Sequence, residues 1–270
     1  MLRKLVKYEL WASGRLLLPI YGAVIIMGLI SSVFLRLRPN LSYDSTVLIV
    51  AAALSMILFF LLIAAAIIAS YIFAIYRYKK NLLGSEGYLM NTLPVSVWQN
   101  ISAKLIPAVL YQLLGIAAAV IAGMLLFIIG SNTTAAELLD VISRFFEELK
   151  NASNVHLWLL LAEITVLLLI AFAVSNLMFY AAMSVGHSFT NHKVLSSVGI
   201  YVAFYIASQF INTFLLTAAG AFSDNFLSGA DFADAMPHMI MCGFMLLEAA
   251  YGAVYFFISG YFMKNRLNLQ

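Results

Sequence analysis

Charge is what this chain has least of. Only 10% of its 270 residues are Asp, Glu, Lys or Arg, against about a quarter in an average soluble domain. Hydrophobic residues make up 64%, and a single globular core would leave much of that apolar area facing solvent. The shortage of charge therefore excludes a water-soluble fold. Cysteine is nearly absent too: Cys242 stands alone, so no intrachain disulfide framework exists. The formal net charge of +3 is too small to indicate a nucleic-acid partner.

Motifs that carry chemistry are also missing. No G-x-x-x-x-G-K-[ST] occurs, so the chain has no loop of that kind to cradle nucleotide phosphates. Leu227-Ser228-Gly229-Ala230 looks like the start of an ATPase signature sequence, but without a Walker motif it reads as chance. The sequons at Asn100, Asn132 and Asn151 match a pattern that is common by accident. His156, His187, His192 and His238 form no cluster with Cys or carboxylates at metal-ligand spacing. No serine elbow or zincin pattern appears. No cofactor is expected in this chain, and it does not read as an enzyme.

What the sequence does contain is long apolar runs. In hydrocarbon only helices and closed barrels satisfy their own backbone, and barrel strands would alternate over roughly ten residues. These runs are continuous and long enough for helices of about 20 residues. The expected fold is all-α, a single transmembrane domain over 1–270 with spans at 16–34, 46–76, 101–129, 157–183, 194–218 and 238–263. Lys and Arg resist translocation. With the N-terminus inside, Arg3, Lys4, Lys7, Arg15, Arg77, Lys79, Lys80, Lys104, Lys193, Lys264 and Arg266 fall on the inner side. Only Arg36, Arg38, Arg144 and Lys150 fall outside. Both termini are thus expected in the cytoplasm, with the protein in the plasma membrane.

Three segments outside the spans have patterns of their own. In residues 1–15, Leu2, Leu5, Val6 and Leu10 share one side of a helical wheel, while Arg3, Lys4 and Lys7 share another. That predicts an interfacial helix on the cytoplasmic surface, with Glu9 needing a cationic partner. Residues 77–100 hold Gly84 and Gly87 around Ser85-Glu86, then Pro94, then a capping box of Ser96 and Gln99. The spacing predicts a short cytoplasmic helix over 85–91 and a helix carrying the third span that starts at Val97. Residues 134–150 open with a second capping box, Thr134 and Glu137. Leu138, Leu139, Val141, Ile142, Phe145, Phe146 and Leu149 then form the apolar face of an outer amphipathic helix. It either lies on the outer leaflet or caps the mouth of a pathway.

Polar residues at membrane depth are few. They are Glu248, Glu163, the pair Tyr111 and Gln112, and the pair Gln209 and Asn212, which read as sharing a face at i, i+3. Glu248, Tyr111, Gln112, Gln209 and Asn212 are candidate linings of a translocation pathway. Alternatively they make hydrogen bonds that hold the bundle together, which is the reading favoured for Glu163.

Lys7-Tyr8-Glu9, Arg15, Pro19 and Asn91-Thr92-Leu93-Pro94-Val95-Ser96 followed by Lys104, on six spans with both ends inside, resemble a type-2 ABC exporter permease. The topological likeness covers the whole chain, and the motifs cover the leader and the first cytoplasmic loop. The resemblance implies a dimer of permease subunits, homo- or heterodimeric, docked to separate ATP-binding subunits that carry ATP and Mg. Residues 1–15 would be the connecting helix. Ser85, Glu86, Gly87, Tyr88, Leu89 and Pro94 would form the coupling helix and its flank. No large outer domain is present, unlike in peptide-handling relatives, so peptides, lipids and hydrophobic drugs all stay open as substrates. Two other classes stand beside this one: a non-transporting immunity or sensor-associated subunit, and an ion-coupled carrier with Glu248 as its proton site.

Overall fold

The computed structural model describes residues 2–37, 46–84, 87, 95–131, 133–152, 157–189, 192–226 and 236–265. Among these residues the regular structure is entirely helical. The helices are α1 (Leu2–Leu37), α2 (Thr46–Tyr78), α3 (Val97–Gly130), α4 (Ala135–Ala152), α5 (Leu157–Gly186), α6 (Lys193–Phe226) and α7 (Met236–Asn265). A π-helical turn, Lys79–Leu83, continues α2. All but α4 are long and apolar enough to cross a bilayer. The protein is a multi-pass, all-α membrane protein.

Both capping boxes act at the helix starts. The Ser96 hydroxyl accepts from the Gln99 amide at 3.3 Å where α3 begins. At α4 the exchange is reciprocal: the Glu137 amide donates to the Thr134 hydroxyl at 3.3 Å, and the Thr134 amide to the Glu137 carboxylate at 3.1 Å. The leader behaves differently from the expected separate surface helix. Residues 2–37 form one continuous helix, because nothing between Arg15 and Leu16 breaks it and Pro19 is accommodated inside. Arg15 stacks its guanidinium 3.9 Å from the Trp11 ring, and Glu9 is buried.

The chain forms two compact units. The first comprises Arg3–Ala74 and Ile106–Glu147. Its core joins Leu17, Tyr21 and Val24 of α1 to Phe59 and Ala66 of α2 and to Tyr111, Ala118 and Ala122 of α3. Close approach is possible because Gly28 has no side chain: a Cβ there would lie 3.0 Å from both the Cβ and the carbonyl oxygen of Ala122. On α4, Leu138, Ile142 and Phe146 are half-buried at a spacing of four, while Leu139, Val141 and Phe145 are exposed.

The second unit comprises Met1–Leu2, Ile75–Leu105 and Glu148–Gln270. Here α5 packs against both α6 and α7. Val174, Leu177, Tyr180, Ala181 and Met183 of α5 meet Tyr78, Leu82, Ile101, Tyr255 and Met263. The rings of Tyr78 and Tyr180 stack at 4.0 Å and 6°. The Tyr78 hydroxyl is within 2.8 Å of the Ser184 hydroxyl. At Gly252 a Cβ would come 3.1 Å from Val174, so this glycine lets α7 approach α5.

Candidate functional site

The polar side chains of the second unit follow the seam where α5, α6 and α7 meet. At one end Glu163 of α5 accepts a hydrogen bond from His238 of α7, Oε2 to Nδ1, at 2.8 Å. Nε2 of the same ring is buried and makes no hydrogen bond among the described residues.

Ten residues further along α7, about 15 Å at helical rise, stands Glu248, half-buried. Tyr251 and Tyr255 follow at i+3 and i+7 and so lie on its face of the helix. The Tyr251 hydroxyl donates to Asn212 Oδ1 of α6 at 3.0 Å and approaches the Ser208 carbonyl at 3.5 Å. The Tyr251 and Tyr255 rings lie 6.3 Å apart and 20° from parallel, and Tyr255 tilts against Phe204 at 5.3 Å. Tyr201 of α6 stacks on Phe179 of α5 at 4.3 Å. A carboxylate and an amide thus head a column of aromatic rings running along the seam.

The other end of α5 carries a group of basic side chains, His187, Lys79 and Lys193. His187, in the turn after α5, is buried and hydrogen-bonded through Nδ1 to the Met183 carbonyl at 2.9 Å. Burial pushes the imidazole below its ordinary range, the Met183 carbonyl opposes this, and the cations of Lys79 and Lys193 add to the lowering. His192 takes a left-handed backbone, φ 56°, just before α6 begins.

The candidates from the sequence divide between the two units. In the second, Asn212 and Glu248 belong to the seam, but Gln209 is exposed and Asn212 turns inward. Residues three apart differ by about 60° around a helix, and the edge of the packed face of α6 falls between these two. In the first unit, Tyr111 and Gln112 are buried. The Tyr111 hydroxyl donates to the Leu10 carbonyl of α1 at 2.7 Å, and its own carbonyl accepts from Tyr21 at 2.8 Å. Tyr111 is therefore a staple between helices. Of the coupling candidates, Ser85, Glu86, Tyr88, Leu89 and Pro94 lie outside the described residues. Gly87 is buried and its amide donates to the Gly84 carbonyl at 2.9 Å.

Sequence reasoning missed the tyrosine column and the His238 partner of Glu163. The column had a signal: Glu248, Tyr251 and Tyr255 repeat at helical spacing within an otherwise apolar span. The pairing of positions 163 and 238 had none. No family model, curated protein or solved structure matches the chain.

Proposed function

We propose that the chain is the permease subunit of an ABC exporter, energised by a separate ATP-binding subunit and moving a hydrophobic or amphipathic substrate. The observation that carries this reading is the length of the second span. With its π-helical turn it runs 38 residues, Thr46–Leu83, about 57 Å at 1.5 Å per residue. A tilt of about 40°, the edge of the usual range, still leaves roughly 44 Å along the membrane normal, against a hydrocarbon core of about 30 Å. The helix is thus longer than a bilayer requires, and in this reading the excess lies on the cytoplasmic side, ahead of the Gly- and Pro-punctuated sequence 84–96 that a partner would grip. The motif resemblance in 7–19 and 91–104 supports the same reading. So does the lack of any nucleotide-binding motif in the chain, since its energy must then come from elsewhere. In this reading both termini face the cytoplasm and a second permease subunit completes the translocation unit.

Closure of the ATPases pulls on the loop and rocks the packed helices between two arrangements. Glu86→Lys and Gly87→Pro should uncouple ATP hydrolysis from transport while leaving the protein inserted. Gly87→Pro also removes the amide that bonds to Gly84. Transport-coupled hydrolysis at wild-type rate in both variants would defeat the coupling assignment.

One observation favours a second reading, an ion-coupled carrier: no hydrogen bond or ion pair reaches Glu248 among the described residues. A carrier transports without ATP and loses that transport in Glu248→Gln.

A further inference from the structure

Glu248 is a half-buried carboxylate near mid-span, with no hydrogen bond or ion pair among the described residues. A charge at such a depth costs about 2.5–3.5 kcal/mol on insertion scales and is kept where something answers it. This chain holds no basic residue that can. It has no Lys or Arg at positions 16–35, 46–76, 105–143, 157–192 or 194–263. A second copy of the chain therefore brings no mid-membrane cation either. Among the described residues His187, His192 and His238 sit at or beside helix ends, and His238 already faces Glu163.

The groups beside the carboxylate narrow the kind of cation. Tyr251 and Tyr255 share its face, and Tyr251 is tied to Asn212 by its hydroxyl, which holds the ring in place. Aromatic rings within about 6 Å attract a cation through their quadrupole, and more strongly where water is excluded. A hard metal ion would instead need six to eight oxygen ligands. No group of three His, Cys, Asp or Glu side chains suited to a metal exists among the described residues. Asn212 Oδ1 is already engaged by Tyr251. A proton would neutralise Glu248 but would have no use for a column of rings.

We infer that the α6–α7 seam binds an organic cation with an apolar body, its charge against Glu248 and its body against the half-buried Tyr251 ring, which the buried Tyr255 backs. Such a ligand is soluble in both the membrane and its interface, and it supplies the charge that the chain lacks. The inference deepens the transport reading, and rests on it, only in taking the seam as a substrate site. Binding needs neither ATP nor a partner subunit, so the two can fail separately.

The test is equilibrium binding of radiolabelled tetraphenylphosphonium to the purified full chain in phosphatidylcholine nanodiscs. Empty nanodiscs correct for partition into lipid. Saturable binding is expected. Glu248→Gln should weaken it by about tenfold or more, the equivalent of one lost charge contact. Tyr251→Leu should weaken it about threefold, whereas Tyr251→Phe, which keeps the ring, should bind within about twofold of wild type. Neutral triphenylphosphine oxide should fail to compete. Glu248→Asp, which keeps the charge, separates a binding loss from a folding loss: it should bind more tightly than Glu248→Gln at equal yield of monodisperse protein. No saturable binding to wild type, equal binding in Glu248→Gln, or full competition by the neutral compound would each overturn the assignment.

Discussion

Glu163 and His238 lie 75 positions apart in the chain and meet at 2.8 Å, joining α5 to α7 at one end of the seam. Their side chains are 9% and 17% exposed, so removing one partner strands the other in a poorly solvated place. His238→Ala should destabilise the protein by about 3 kcal/mol, the usual scale for breaking a buried pair. Glu163→Leu should remove the stranded carboxylate and recover part of that loss in the double variant. Thermal unfolding in detergent, run as a double-mutant cycle, reads the coupling. Strictly additive losses would show that the two side chains do not depend on one another.

Tyr111 uses a notch that only glycine leaves. A Cβ at position 14 would fall 2.6 Å from the Tyr111 hydroxyl oxygen but 3.6 Å from Cζ of the ring. Gly14→Ala should therefore displace the hydroxyl and break its bond to the Leu10 carbonyl, at a cost of about 1–3 kcal/mol. Tyr111→Phe loses only the hydrogen bond, about 1 kcal/mol. In the Tyr111→Phe background the alanine should be nearly harmless, since the clashing atom is gone. Melting temperatures of the four proteins decide it. An equal drop on Gly14→Ala in both backgrounds would contradict the staple.

The turn after α5 should confer acid sensitivity. The His187 imidazole is held below its ordinary value in the folded protein, chiefly by burial. The unfolded chain therefore takes up the proton first, and stability rises with pH wherever it does so. The contribution is fully present above about pH 6.5, the ordinary histidine value, and is lost as the pH falls below it. His187→Gln should flatten the fall in melting temperature between about pH 7.5 and 5.5. A variant that tracks wild type across that window would show that another group sets the acid limit.

Local signals in the sequence were legible where the structure is locally determined. Ser96 with Gln99, and Thr134 with Glu137, mark helix starts at Val97 and Ala135 because a cap spans only three residues. Apolar runs located six crossing helices but not their full lengths. Hydropathy marks the portion suited to lipid, while backbone hydrogen bonding continues beyond it, so α6 extends to Phe226. The junction at Arg15 read as a change of environment, and the helix passes through it unbroken. Gln209 and Asn212 look equivalent by spacing, yet among the described residues only Asn212 has a hydrogen-bond partner across the seam, in Tyr251. Such a difference depends on which neighbour packs where. The same is true of His238, whose partner lies on a different helix.

Affinity capture of the tagged chain from native membranes in mild detergent, followed by an ATPase assay on the captured material, tests the permease assignment most directly. A permease half should bring with it an ATP-binding protein of the P-loop type, and the captured complex should hydrolyse ATP. Recovery of the chain without any ATP-binding protein, and without ATPase activity, would contradict the assignment.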